Sequence, residues 1–418
     1  MSHSEHRPNA SAHPPKSAIA YEQEVYQRGL KYEKPPFTFN SSQWEPLALK
    51  LLSANAAGYV GGCAGHGETN AKNLASFRKW SIVPRRLVRT EGFTDLSTSL
   101  FSGREKLSWP VAIAPVGVQR IFHPEAEGAV ARAAATESVP YILSTASSTS
   151  IEDVAKASGE GSQRWYQLYW PSNEHNDITK SLLARAKKAG YTALFVTLDT
   201  YILGWRPSDM DNGYNPFLRA DNIGVALGFS DPVFRAHFRE AHGKEIEDDE
   251  AAAAAEWTRI VFPGFSHGWE DIEFLKQHWD GPIVLKGIQT VEDAKRCVEV
   301  GVQGIVVSNH GGRQQDGGVA SLSMLPRIVD AVGDKLDVLF DSGIRCGADI
   351  AKALALGAKC VLIGRPFVYG LVMGGQEGVS HVLKALIGDL DLTLHLSGIP
   401  NISQEVLNRS ILVREDEL

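Results

Sequence analysis

The segment Ser308-Asn-His-Gly-Gly-Arg-Gln314 places an imidazole, two glycines and a guanidinium side by side at the end of an apolar run. An imidazole with an ordinary pKa of about 6.5 is suited to general-base work near neutrality, so His310 is the candidate base. A carboxylate that orients the ring would raise its basicity, and Asp199, closing the run ALFVTLD, is the candidate. Arg313, and Arg206 in LGWRP, are of the type that grips a carboxylate through two parallel hydrogen bonds. Lys286 in PIVLKG fits either a Schiff-base role or a fixed positive charge. Two stretches read as phosphate-binding turns: DSGIRCG (341–347), with Asp341, Ser342, Gly343 and Arg345, and GRP (364–366), with Gly364 and Arg365. Both offer backbone N–H groups, arginines and helix starts. HExxH and Walker A motifs are absent, which leaves metalloprotease and P-loop readings without support.

These residues need a scaffold that brings them together. From Trp109 onward, β-branched runs alternate with Ala/Glu/Lys-rich helical stretches. The strand candidates are 111–115, 141–145, 164–169, 193–199, 282–287, 304–309, 337–343 and 360–365. Eight parallel strands with intervening helices predict a TIM (β/α)8 barrel. A doubly wound sheet would alternate in the same way, but it would carry a GxGxxG after the first strand. AGYTALFVTLD, VGVQGIVVSNH and LGAKCVLIGRP repeat one plan, a helix ending near Gly190, Gly301 or Gly357, then a turn and a buried strand. Chemistry in such a barrel collects at the C-terminal strand ends. Here those ends carry Pro115, Ser144, Gln167 with Tyr169, Thr197 with Asp199, Lys286, Ser308 with His310, Asp341, and Gly364 with Arg365. Residues 1–20 read as a disordered tail, 21–105 as an N-terminal helical extension, 106–400 as the barrel and 401–418 as a C-terminal segment. A long insert after the fourth strand, about 207–275, has the length of a lid and contains the acidic run EIEDDE followed by AAAAAEW, a helix.

The 418 residues are 43% hydrophobic and 22% charged, with 42 Lys+Arg against 49 Asp+Glu and a net charge of -7. That balance speaks against nucleic acid or an anionic membrane as the main partner. No apolar run approaches the roughly 20 residues of a membrane helix. The four cysteines share no CxxC spacing and the N-terminus has no apolar leader, which together predict a cytoplasmic protein without disulfides or a cysteine metal site. His3, His6 and His13 of the tail are read as solvated, not as metal ligands.

SNHGGRQ, YQLY, TLD followed by LGWR, LKGI, DSGIR and IGRP together resemble the FMN-dependent α-hydroxy-acid oxidase and dehydrogenase family, from about Tyr21 to the C-terminus, and within it the lactate 2-monooxygenase branch. The resemblance implies FMN as cofactor, and a small 2-hydroxy acid and O2 as reactants. L-Lactate would be oxidised and decarboxylated to acetate, with release of keto acid and H2O2 as the alternative outcome. A phosphate-binding lyase or isomerase barrel is the rival from another class. By the resemblance, His310 is the base paired with Asp199. Arg313 and Arg206 hold the substrate carboxylate with Tyr59, and Tyr169 contacts the substrate hydroxyl side. Lys286 lies by the flavin N1/O2 edge, which decides against the Schiff base. Ser144, Gln167 and Thr197 bond the ring, Pro115, Val116 and Gly117 flank N5, and Ser308 contacts the flavin. Asp341, Ser342, Gly343, Arg345, Gly364 and Arg365 take the ribityl chain and phosphate. The glycine at 117, where many oxidases have alanine, implies more room at N5. Cys63 stands where the family usually has glycine, and His66 and Gly67 where acidic residues are common. Relatives imply a homo-oligomer of four subunits or more.

Overall fold

A computed structural model describes residues 19–89, 94–218 and 223–417. Tail positions 1–18, with His3, His6 and His13, lie outside the described residues. All eight strand candidates form, as β1 (Val111–Ile113), β2 (Tyr141–Ser144), β3 (Arg164–Leu168), β4 (Ala193–Thr197), β5 (Ile283–Ile288), β6 (Gly304–Val307), β7 (Asp337–Phe340) and β8 (Cys360–Ile363). They pair in parallel in sequence order and close β8 onto β1, Val361 opposite Val111. The glycines after the helices Asn176–Lys188, Val291–Glu299 and Gly347–Ala355 have positive φ, 81° at Gly190, 76° at Gly301 and 106° at Gly357. This is the left-handed turn at which glycine carries no Cβ penalty.

The two-residue period of the strands separates two cores. Ala112, Ile142, Trp165, Phe195, Val284, Val306, Leu339 and Leu362 fill the barrel interior. Their outward neighbours, such as Ile113, Leu143, Tyr166 and Leu285, pack under the helices. Large rings beside small residues fill the interior: Trp165 stacks on Phe195 with centroids 5.2 Å apart, while Ala112 and Ala193 leave the space. The bottom is closed from the N-terminal side, where Leu100, Phe101 and Leu107 join the same cluster.

That closure corrects the reading of 21–105 as helical. Helices Ala20–Gly29, Trp44–Leu51, Ala54–Gly61 and Glu68–Phe77 are present, but the segment also contains the hairpin Thr98–Leu100/Glu105–Leu107 and the strand Trp80–Ile82. Trp80–Ile82 pairs antiparallel with Leu412–Arg414, so a partner more than 300 residues away decides its state. Three-residue strands of mixed polarity, such as WSI, TSL and EKL, carry too little pattern to be read locally. Between β4 and β5 run the helices Pro207–Asp211, Ala226–Phe229, Pro232–His242, Glu250–Val261 and Ile272–His278. The alanine-rich stretch forms the fourth of these, with Trp257 fully buried against Phe234.

Glu127 staples the loops that follow β1 and β2. Its carboxylate is completely buried and accepts from the backbone N–H of Gln119 (3.2 Å) and Ser148 (2.9 Å) and from the hydroxyls of Ser148 (2.6 Å) and Thr149 (2.8 Å). Glu127→Ala would strip four donors of their acceptor, three of them on buried residues, and is expected to lower stability by about 3 kcal/mol or more. Urea denaturation of the variant beside the parent checks this.

Candidate active site

The same period that fills the barrel builds the site. One step beyond each interior residue, the inward positions are Ala114, Ser144, Gln167, Thr197, Lys286, Ser308, Asp341 and Gly364. Each strand thus ends its apolar layer and begins a largely polar one. Above it lies a cavity that is partly open to solvent. Of the predicted site residues, its lining includes Tyr59, Pro115, Val116, Gly117, Tyr169, Arg206, Lys286, His310 and Arg313. Asp341, Ser342, Gly343, Arg345, Gly364 and Arg365 continue it. Asp199 and Ser308 stand one bond behind it, on His310 and Lys286. Ser144, Gln167 and Thr197 are buried at the ends of β2, β3 and β4, outside the lining.

His310 Nδ1 lies 2.9 Å from Asp199 Oδ1 and 3.1 Å from Thr200 Oγ1, and the Thr200 hydroxyl donates to the same carboxylate oxygen at 2.9 Å. With Nδ1 engaged, Nε2 is left for the cavity that His310 lines. The residue sits at φ 58°, a left-handed conformation that costs a non-glycine residue roughly 1 kcal/mol or more. Two hydroxyls hold it there: Ser308 Oγ accepts from His310 N at 3.1 Å, and Ser342 Oγ from Gly311 N at 3.0 Å.

Burial lowers the His310 pKa below its ordinary 6.5, Asp199 opposes this, and Lys286 and Arg206 reinforce it. Burial also disfavours the Asp199 carboxylate, but His310 and Lys286 outweigh it and hold the pKa down at about 2. Near neutrality the pair is therefore a neutral imidazole on a carboxylate. Lys286 is 3% exposed; burial works against its charge, yet Asp341 and then Asp199 raise its pKa. Its Nζ sits 3.3 Å from Asp341 Oδ2 and donates to Ser308 Oγ at 3.0 Å.

Arg206 donates from Nε to the Arg313 carbonyl at 3.1 Å and from Nη2 to Gln314 Oε1. Gln314 Nε2 donates in turn to the carbonyls of Asp199 (3.0 Å) and Ile202 (2.9 Å), so it ties the loop after β4 to the loop after β6. The Arg313 guanidinium lies 4.7 Å from the Tyr59 ring centre, and burial followed by the neighbouring Arg206 brings its pKa down to about 10. Gly117 lines the cavity, but the room its missing Cβ leaves is elsewhere. A Cβ there would stand 2.6 Å from the Ala146 carbonyl oxygen, so the glycine permits two loops to touch and does not widen the cavity. Thr200, Gln314 and the apolar wall of Phe122, Leu203, Phe217 and Phe262 were not singled out from the sequence. Thr200 adjoins Asp199 in TLDT, a signal that was available; the phenylalanines sit in loops without periodicity.

A profile of FMN-dependent dehydrogenases matches residues 48–414. The chain belongs to that family. It is 64% identical over 401 residues to an FMN-dependent alpha-hydroxy acid dehydrogenase of Schizosaccharomyces pombe, which covers 96% of this chain and 98% of the relative. It is 39% identical over 383 residues to an L-lactate oxidase of Lysinibacillus sphaericus, covering 91% and 94%. A crystal structure of mandelate oxidase with benzoyl-formic acid superposes with a TM-score of 0.74 at 35% identity, covering 88% of this chain and 96% of that one. FMN is the cofactor, and oxidation of an α-hydroxy acid is the reaction class.

The cavity fits that group. Gln167 Nε2 and Arg313 Nη2 are buried without a partner among the described residues. Cations line the cavity at Lys286, Arg345 and Arg365. A Cβ on Gly364 would meet only Ala114 Cβ, at 3.9 Å, so the glycine leaves that part of the lining clear. Among the described residues no helix is long and apolar enough to cross a membrane, and no cluster of His, Cys, Asp and Glu could hold a metal ion.

The charge assignment predicts a titration. In an NMR pH titration His310 is expected to gain its proton below pH 6.5. In Asp199→Asn the midpoint should fall further, because the anion that favours imidazolium is gone. A midpoint above 6.5 in the parent would contradict the assignment.

Proposed function

We propose that this protein oxidises a small L-2-hydroxy acid, with L-lactate as the minimal substrate, at the expense of O2. We further propose that it decarboxylates the keto acid, so that lactate and O2 give acetate, CO2 and water. The observation that carries the reading is His310, held at Nδ1 by Asp199 at 2.9 Å, on the cavity that Arg206 and Arg313 also line. An acid–alcohol substrate needs both features, a cationic grip for its carboxylate and a base for its alcohol end.

In this reading Arg206 and Arg313 hold the carboxylate, the unpartnered Nη2 of Arg313 supplying a free donor. Tyr59 and Tyr169 bound the substrate; burial first, and then Tyr59 and Asp199, push the Tyr169 pKa up, so its phenol stays a donor near neutrality. His310 Nε2 takes up a substrate proton. The imidazolium so formed is stabilised by Asp199, with Thr200 fixing the carboxylate through its hydroxyl. FMN, when bound, supplies the two-electron acceptor that O2 regenerates. The residues that would hold it are Pro115 to Gly117, Ser144, Gln167, Thr197, Lys286, Ser308, Asp341 to Gly343, Arg345, Gly364 and Arg365. Lys286 contributes a fixed charge, since its Nζ is committed to Asp341 and Ser308.

The insert contributes Phe217 and Phe262 to the cavity wall beside Leu203 of the loop after β4, with the Phe262 ring 5.0 Å from Tyr169 and 5.2 Å from Phe217. That apolar cover favours retention of keto acid and hydrogen peroxide together, which consume each other to give the shortened acid, CO2 and water.

Two measurements test the reading. Enzyme incubated with L-lactate under air should yield acetate and CO2 with little free peroxide; pyruvate with equimolar peroxide would replace the decarboxylating reading by a simple oxidase. His310→Ala should keep its yellow FMN while kcat falls by roughly 100-fold or more. Near-normal turnover in that variant would remove His310 from the role of base.

A further inference from the structure

The helix Ala54–Gly61 brings Tyr59 to the cavity, and its eight residues are too few to be stable alone in water. Its N-terminal end is capped in the ordinary way, Ser53 Oγ accepting from Ala56 N at 3.3 Å. Its C-terminal end is not. The last carbonyls of a helix have no partners within it, and here arginines from the barrel supply them. Val60 O accepts from Arg365 Nε at 2.9 Å, and Tyr59 O from Arg313 Nη1. Gly62 O accepts from both, Arg313 Nη1 at 2.8 Å and Arg365 Nη2 at 2.9 Å.

Arg365 reaches further. Its Nη1 donates to Gly311 O at 3.0 Å, in the loop that carries His310, and its Nη2 lies 3.5 Å from Cys63 Sγ. Gly311 has φ 65°, and a Cβ there would stand 2.8 Å from Arg365 Nη1, so the loop has left room for this guanidinium. An arginine has five N–H donors, and most of those on Arg365 are already spent on the extension and the His310 loop. A cation at this end of the helix also meets the negative pole of its macrodipole.

We propose that Arg365 is a positioning residue for Tyr59: it caps the helix Ala54–Gly61 and ties it to the His310 loop, so that the barrel builds the wall of the substrate site that the N-terminal extension contributes. The proposal rests on the reading of Tyr59 as a substrate-site residue. It assigns Arg365 a task separate from attracting the cofactor phosphate. A phosphate can be held by a lysine point charge as well as by a guanidinium, whereas bridging the carbonyls of Val60, Gly62 and Gly311 at once needs the planar fork.

Arg365→Lys separates the two tasks, because it keeps the charge and loses the fork. Amide hydrogen exchange of residues 54–64 is compared between the parent and the variant, each FMN-saturated and FMN-free, with the β-strands as internal standard. Steady-state kinetics with L-lactate are run on the FMN-saturated forms, and Tyr59→Phe is measured alongside. Exchange in 54–64 should be about tenfold faster in the variant in both states, with the strands unchanged. KM should rise about tenfold with kcat within about twofold, the pattern of a lost binding contact. Tyr59→Phe should raise KM without altering exchange. Parent-like exchange in Arg365→Lys, whatever happens to its FMN affinity, would overturn the proposal. A parent enzyme that turns over no 2-hydroxy acid would instead sink the functional reading, and the exchange comparison would still decide the role of Arg365.

Discussion

Closing eight parallel strands into a ring forces alternate side chains of every strand to meet at the axis. Everything else in this molecule depends on that constraint. Below, the shared space demands apolar volume, and Trp165, Phe195 and their small neighbours fill it. Two residues further on, the constraint delivers Ser144, Gln167, Thr197, Lys286, Ser308 and Asp341 to one level. Lys286 of β5 reaches the Ser308 hydroxyl just past β6 and the Asp341 carboxylate just past β7 because β6 pairs with both strands and the curvature of the ring turns their inward side chains together. A buried ammonium is tolerable only with such partners, since desolvation alone would discharge it.

The loops then work against local preference. His310 and Ser342 occupy left-handed conformations that neither residue type favours, and Gly117 is pressed against Ala146 more closely than any side chain would allow. The compensation is polar and buried: Glu127 gathers four donors from two loops, Gln314 joins two more, and Ser308 and Ser342 hold the backbone at His310. Strain concentrated beside the chemistry and held by a rigid surround is the arrangement expected of a preorganised site. The net charge of -7 conceals it, because Arg206, Lys286, Arg313, Arg345 and Arg365 line a single cavity.

How much was legible follows from the range of the interactions involved. The strands could be read because each is an apolar run between glycine-marked turns, and the pairing of His310 with Asp199 followed from their both closing such runs. The hairpin at Thr98–Leu107 and the strand Trp80–Ile82 could not be read, since TSL, EKL and WSI, unlike the equally short apolar β1, are neither apolar runs nor long enough to alternate, and their partners are the barrel floor and the C-terminus. Glycine at 117 read as extra room for a ligand. The space belongs to Ala146, because which way a missing Cβ points depends on the neighbouring loop.

By itself, then, the sequence determined the barrel, the polar strand ends and the family, because these follow from periodicities and short motifs carried along the chain. Tertiary structure alone decided which donors are already spent. Arg365 and Arg313 read as free cations awaiting anions, yet folded they cap the helix of Tyr59, some 300 and 250 residues earlier in the chain. A guanidinium's charge is a property of the residue, but the partners of its N–H groups are set by the carbonyls that folding brings within about 3 Å.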